Sequence, residues 1–219
     1  MQIKMNLKVF LFLIIFILTR QIKIYALLML FALIHELGHL FVGLILGFKP
    51  ESISMILTGF TIKFKTKCED YNVKIRNGNV LAVKKAIIAL AGPMVNLIII
   101  LACLIFYKET QEAYLLGLPL ELLIYSNILI FAFNILPIYP LDGGRILKEL
   151  VHIFAGLKNS YTITNKVSNC TVIILTIMGS IFVLIYRNIA IIIILVYLWY
   201  ITIRENKAFS MKIKAFNIK

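Results

Sequence analysis

Hydrophobic residues along most of this chain form long runs. Apolar side chains dominate from Leu7 to Thr19, Ile22 to Gly47, Ile87 to Phe106, Leu115 to Leu136, Val167 to Tyr186 and Ile189 to Ile203. A helix of about twenty such residues crosses a hydrocarbon layer about 30 Å thick. The pattern therefore predicts about six transmembrane helices, the first short and tilted. The segment 48–85 reads differently. Ile53, Met55 and Leu57 alternate with Ser and Thr, and Phe60-Thr61-Ile62-Lys63-Phe64-Lys65 alternates again. That is strand periodicity, and Asn77-Gly78 is a hairpin turn signal. A small membrane-associated β-element over about 51–83 is expected between helices two and three. A polar helix is expected from Gly144 to Ala155. Tyr197, Trp199 and Tyr200 suggest an interfacial belt at the end of the last span.

Composition narrows the class. Of 219 residues, 61% are hydrophobic, and mean hydropathy is +0.96. A soluble domain of ordinary composition is excluded. The fold class is an all-α polytopic membrane protein, with one transmembrane domain over 1–203 and a basic tail over 204–219. A net charge of +13 would point to nucleic acid in a soluble protein. Here six spans sort nineteen of the 23 Lys and Arg to one side. Basic loops face the cytoplasm, so both termini are expected there, in a multi-pass protein of the cell membrane that binds no nucleic acid. The first apolar run has no small-residue cleavage pattern after it and reads as a retained span. Cys68, Cys103 and Cys170 show no paired spacing for a disulfide framework or thiolate metal site.

The chemistry centres on His35-Glu36-Leu37-Gly38-His39, inside the run from Tyr25 to Leu46. Ionisable groups in a membrane-length helix are costly and mark function. Positions i and i+4 share a helix face, so both imidazoles can reach one metal ion. Glu36, beside the first histidine, is positioned to take a proton from an activated water. In a polar helix the same pattern arises by chance as two surface histidines; an apolar run penalises that. Residues Asn134 to Arg145 hold Pro137, Pro140, Gly143 and Gly144, which prevent regular helix. Broken backbone at membrane depth is tolerated where it lines a cavity or is buried in protein. Asp142 in this stretch is a helix cap if taken alone, and a third metal ligand beside a histidine pair. Asn96, in Ala91-Gly92-Pro93-Met94-Val95-Asn96, suits either an interhelical hydrogen bond or a substrate contact. His152 has no i+4 partner histidine and reads as structural or solvated.

These three motifs, in this order, resemble the site-2 protease family of intramembrane metalloproteases, peptidase family M50. The third motif resembles the stage IV sporulation protein FB group. The resemblance implies one zinc ion per chain, held by His35, His39 and Asp142, with Glu36 as catalytic base. It implies substrate-positioning roles for Asn96 and Asn134, and a membrane-associated strand over 51–66 that pairs with unwound substrate. It implies an intramembrane zinc metalloendopeptidase acting on a protein in or at the bilayer, in regulated proteolysis or sporulation signalling such as pro-sigma factor processing. A regulatory membrane protein is a further partner of the same kind. Relatives of the sporulation type often carry a nucleotide-sensing CBS domain after the last span, where this sequence has its basic tail; a PDZ domain is also absent from these residues. The competing class is a non-enzymatic membrane metal-binding or divalent-metal transport protein. A transporter should show internal repeats with matched broken helices, and none is evident.

Overall fold

The computed structural model describes residues 2–5, 22–56, 59–65, 74–110, 113–115, 117–187 and 189–217. The expected first span, Leu7 to Thr19, lies outside the described residues. The chain is mostly helical and divides into two units, one comprising Met1–Val73 with Ile87–Asn134, the other Lys74–Ala86 with Ile135–Lys219.

The first unit contains strand β1 (Gln2–Met5), helix α1 (Ile22–Ile45), strands β2 (Lys49–Ile56) and β3 (Gly59–Lys65), and most of helix α2 (Lys74–Thr110). A two-strand hairpin, β4 (Tyr114–Leu115) and β5 (Leu118–Pro119), then leads into helix α3 (Leu120–Ile135). Helix α1 is rich in Leu, Ile, Ala and Phe, and a glycine marks its end. Gly47 has φ 85°, and Phe48 N–H donates to Gly43 O at 2.9 Å while Gly47 N–H donates to Leu44 O at 3.0 Å. This is a Schellman cap, and it turns the chain into β2.

The expected β-element is present over 49–65, with a third strand that periodicity did not reveal. β1 pairs in parallel with β2, and β2 pairs antiparallel with β3. The expected hairpin at Asn77-Gly78 is corrected: these residues lie in the first turns of α2. A turn dipeptide forms a hairpin only when two flanking strands pair across it, and here the described chain after it enters a long apolar helix. Helix ends accept Asn and Gly at modest cost.

Water-driven burial does little between helices in lipid, so small residues and polar contacts decide packing there. A Cβ on Gly38 would lie 2.7 Å from Val95 and 3.2 Å from Ala91 O, so this glycine lets α1 approach α2. Beside that contact sits a core of Leu27, Phe31, Cys103, Leu120 and Leu123, drawn from α1, α2 and α3. Outward positions such as Phe41, Leu44, Ile98 and Ile105 are exposed, as a lipid-facing surface requires.

The second unit holds the start of α2, helix α4 (Asp142–Tyr186) and helix α5 (Ile189–Asn217). Gly156 has φ 82° and ψ 166° and breaks α4 at the end of the expected polar helix. α4 and α5 are antiparallel neighbours joined at Arg187, itself at φ 50°. The basic tail is not a loose arm. Residues 204–217 continue α5, and Phe209 is 1% exposed, with ring centroids 4.8 Å from Tyr139 and 5.0 Å from Tyr161. Trp199 Nε1–H donates to Thr176 Oγ1 on α4 at 3.0 Å.

Among the described residues, three helices are long and apolar enough to cross a membrane: Ala26–Ile45, Asn79–Thr110 and Asp142–Ile185. The shorter Leu120–Ile135 is also apolar. The chain is a helical membrane protein with a small sheet.

Candidate metal centre

α1 carries His35 and His39 one turn apart, and both are buried. Their Nε2 atoms lie 3.2 Å apart, with ring planes at 87°. Their Nδ1 atoms point away, each to an oxygen on α2. His35 Nδ1 lies 2.5 Å from Asn96 Oδ1, and His39 Nδ1 lies 2.6 Å from Ile88 O. A backbone carbonyl only accepts, so the proton of His39 sits on Nδ1. Gly92 N also lies 3.3 Å from that nitrogen, a longer approach that the carbonyl contact outweighs. The lone pair of His39 is thereby on Nε2.

Asn96 settles the same question for His35. Its Nδ2 donates to Asn127 Oδ1 at 2.8 Å, so its oxygen is the end that meets His35. Asn96 and Asn127 are both fully buried. With Nδ1–H donating to Asn96 Oδ1, the His35 lone pair is on Nε2 as well. Two imidazole lone pairs converging at close range repel unless a cation lies between them. Two nitrogens on a tetrahedral zinc, each about 2.0–2.1 Å from the ion, stand about 3.3 Å apart. The 3.2 Å separation fits that donor set.

Gly92 makes the space. A Cβ at this position would collide with Nε2 of both histidines. Pro93 follows inside the same helix. Gly92 of the motif Ala91-Gly92-Pro93 is thus explained by clearance at the imidazoles.

Glu36 is half-buried on α1 beside His35. Asn134, near the end of α3, donates from Nδ2 to Ile130 O at 3.0 Å, a bond within its own helix. In the second unit, Asp142 is buried in the first turn of α4, 3.6 Å from the Arg145 guanidinium. Residues 136–141 reach it by tight turns, with Ile138 N–H on Leu136 O at 2.7 Å and Leu141 N–H on Ile138 O at 2.8 Å. A Cβ on Gly143 would meet Leu136 O at 2.6 Å, so the paired glycines let the turn fold against the helix start. His152 pairs within its helix, Nδ1 lying 3.7 Å from Glu149 Oε2.

One residue of the site escaped sequence reasoning: Asn127. Its signal was an amide in an apolar run, beside Ser126 and seven positions before Asn134 on the same helix face.

Comparison with known proteins bears on this geometry. Residues 104–179 match the profile of Peptidase family M50, a stretch that includes Asp142. The chain is 26% identical over 199 residues to the zinc metalloprotease MJ0392 of Methanocaldococcus jannaschii, covering 90% of this chain and 53% of that protein. It is 24% identical over 159 residues to stage IV sporulation protein FB of Bacillus subtilis, covering 73% of this chain and 51% of that protein. The chain spans about half the length of these curated relatives. Its fold superposes on the site-2 protease from Methanocaldococcus jannaschii with a TM-score of 0.66 and 25% identity, covering 93% of this chain and 90% of that one. Over residues 104–179 the chain is thus similar to peptidase family M50, and the solved structure it superposes on is a site-2 protease.

Proposed function

We propose that this chain is an intramembrane zinc metalloendopeptidase that hydrolyses peptide bonds of a protein in or at the bilayer. The observation that carries the reading is the pair of Nε2 atoms 3.2 Å apart, with both Nδ1 atoms on oxygen acceptors. We assign His35, His39 and Asp142 as ligands. Three protein ligands leave a position for water or substrate. A bound zinc ion supplies Lewis-acid polarisation of a peptide carbonyl and makes water more acidic.

The chain's own residues do the rest. Glu36 accepts a proton from water and returns it to the leaving amine. Asn96 and Ile88 O hold the imidazoles in one tautomer, as outer partners of metal histidines do. Asn134 and Asn96 are the proposed substrate-positioning residues, and Asn96 also meets His35. A helical substrate must unwind before cleavage, because its amides are locked in internal hydrogen bonds. β3 pairs with β2 alone among the described strands. Its other edge is the proposed docking line for the unwound segment, by strand addition. Six spans with both termini in the cytoplasm complete the reading, supported by the asymmetry of Lys and Arg. A pro-sigma factor is one substrate of the proposed kind.

Zinc per chain in detergent-purified protein tests the site, for wild type and Asp142→Ala. About one zinc in wild type and a clear loss in the variant are expected. Folded wild type without zinc would overturn the reading, and full retention by the variant would remove Asp142 from it.

A further inference from the structure

The polar chain behind His35 ends on a backbone carbonyl, and its direction is fixed from that end. Leu123 O on α3 can only accept. Asn127 Nδ2 donates to it at 2.9 Å, which leaves Asn127 Oδ1 as the group facing α2. Oδ1 accepts from Asn96 Nδ2 at 2.8 Å. Asn96 must then offer Oδ1 to His35 Nδ1, at 2.5 Å. An asparagine amide is nearly symmetric in shape, and by itself Asn96 could present either end to the imidazole. With its nitrogen toward His35 it would hold the proton on Nε2 and block the ligand position. Nothing in the shape of α1 or α2 alone prevents this.

We infer that Asn127 is a positioning residue for the metal centre, orienting the Asn96 amide so that His35 keeps its proton on Nδ1 and presents Nε2. Asn127 touches neither metal nor substrate; it acts through Asn96. The inference rests on the proposed zinc reading. It explains why two fully buried asparagines, on α2 and α3, sit where apolar side chains would pack without any polar requirement. All four members of the relay belong to the first unit of the fold.

The test uses the full chain in detergent. Zinc affinity is measured by chelator competition for wild type, Asn127→Leu, Asn127→Ser and Asn96→Asp/Asn127→Leu. Asn127→Leu fills the space but breaks the relay. Asn127→Ser retains a hydroxyl for Leu123 O and loses the reach to Asn96, so the proposal stays testable if the leucine variant fails to fold. Each is expected to weaken zinc binding about tenfold, the low end for loss of an outer partner. Asn96→Asp presents oxygen to His35 whichever way it turns and should return affinity to within about threefold of wild type, a rescue that a packing role would not show. Imidazole nitrogen NMR of the zinc-free chain gives the second readout: His35 should be the Nδ1–H tautomer in wild type and a mixture in the Asn127 variants. A folded Asn127 variant with wild-type affinity and an unchanged tautomer would overturn the inference, as would a loss that Asn96→Asp leaves in place. Wild type that binds no zinc while the tautomer still responds to Asn127 would sink the zinc reading and spare the relay.

Discussion

The proton on His39 Nδ1 is held by the backbone of α2, through Ile88 O at 2.6 Å. The neighbouring turn of the same helix presents Gly92, whose missing side chain leaves room for both Nε2 atoms. No side-chain change at Ile88 can remove the first contact, but one methyl group at Gly92 can fill the second space. Gly92→Ala is expected to force the imidazoles apart and weaken zinc binding by at least tenfold, the scale of losing a supporting partner. Chelator competition reads the effect, and thermal melting in detergent checks that the variant is folded.

Glu36 is adjacent to His35 yet is assigned no ligand role. Glu36→Gln should retain zinc at wild-type stoichiometry while cleavage of a single-pass membrane substrate falls by about 10²–10⁴, the range for loss of general acid–base help. Zinc content and turnover are measured on one preparation. A metal transporter would lose no such step, so continued function with Gln would favour that class.

β3 offers one edge to β2 and is proposed to offer the other to substrate. Proline removes an N–H donor and is tolerated only where that N–H is not needed. Single prolines scanned across residues 60–64 should reduce cleavage at those positions whose N–H faces away from β2, with zinc content unchanged. Equal cleavage across the whole series would remove strand addition from the mechanism.

Phe209 lies in the segment that reads as a basic tail, yet it packs between Tyr139 and Tyr161 with only 1% of its surface exposed. Lys212 Nζ sits 5.3 Å from the Tyr161 ring centroid and adds a cation–π contact. Phe209→Ala should cost about 3 kcal/mol, the lower end for a buried aromatic truncated to alanine. A lowered Tm in detergent checks it, with Lys214→Ala, at an exposed position of the same helix, as the control.

What the sequence determined by itself was local. Long apolar runs made the helices legible. A four-residue spacing put His35 and His39 on one face, because the helical period is carried by the chain's own neighbours. Alternation revealed β2 and β3, and Gly156 falls at the end of the helix read from 144 to 155. Tertiary structure decided what depends on how helices rotate and cross. His35 meets Asn96 across 61 positions, and Asn96 meets Asn127 across 31. No periodicity encodes such pairs, so Asn127 stayed hidden and Asn96 was open between two roles. The same holds for Gly92, whose clearance is visible only against another helix, for β1, whose four residues need β2 to become a strand, and for the tail, which is helical and packed through Phe209. Asn77-Gly78 shows the reverse case, a strong local turn signal without paired strands to use it. Short-range preferences amount to about 1 kcal/mol or less per residue. Where a long helix or a buried polar chain competes with them, tertiary context prevails.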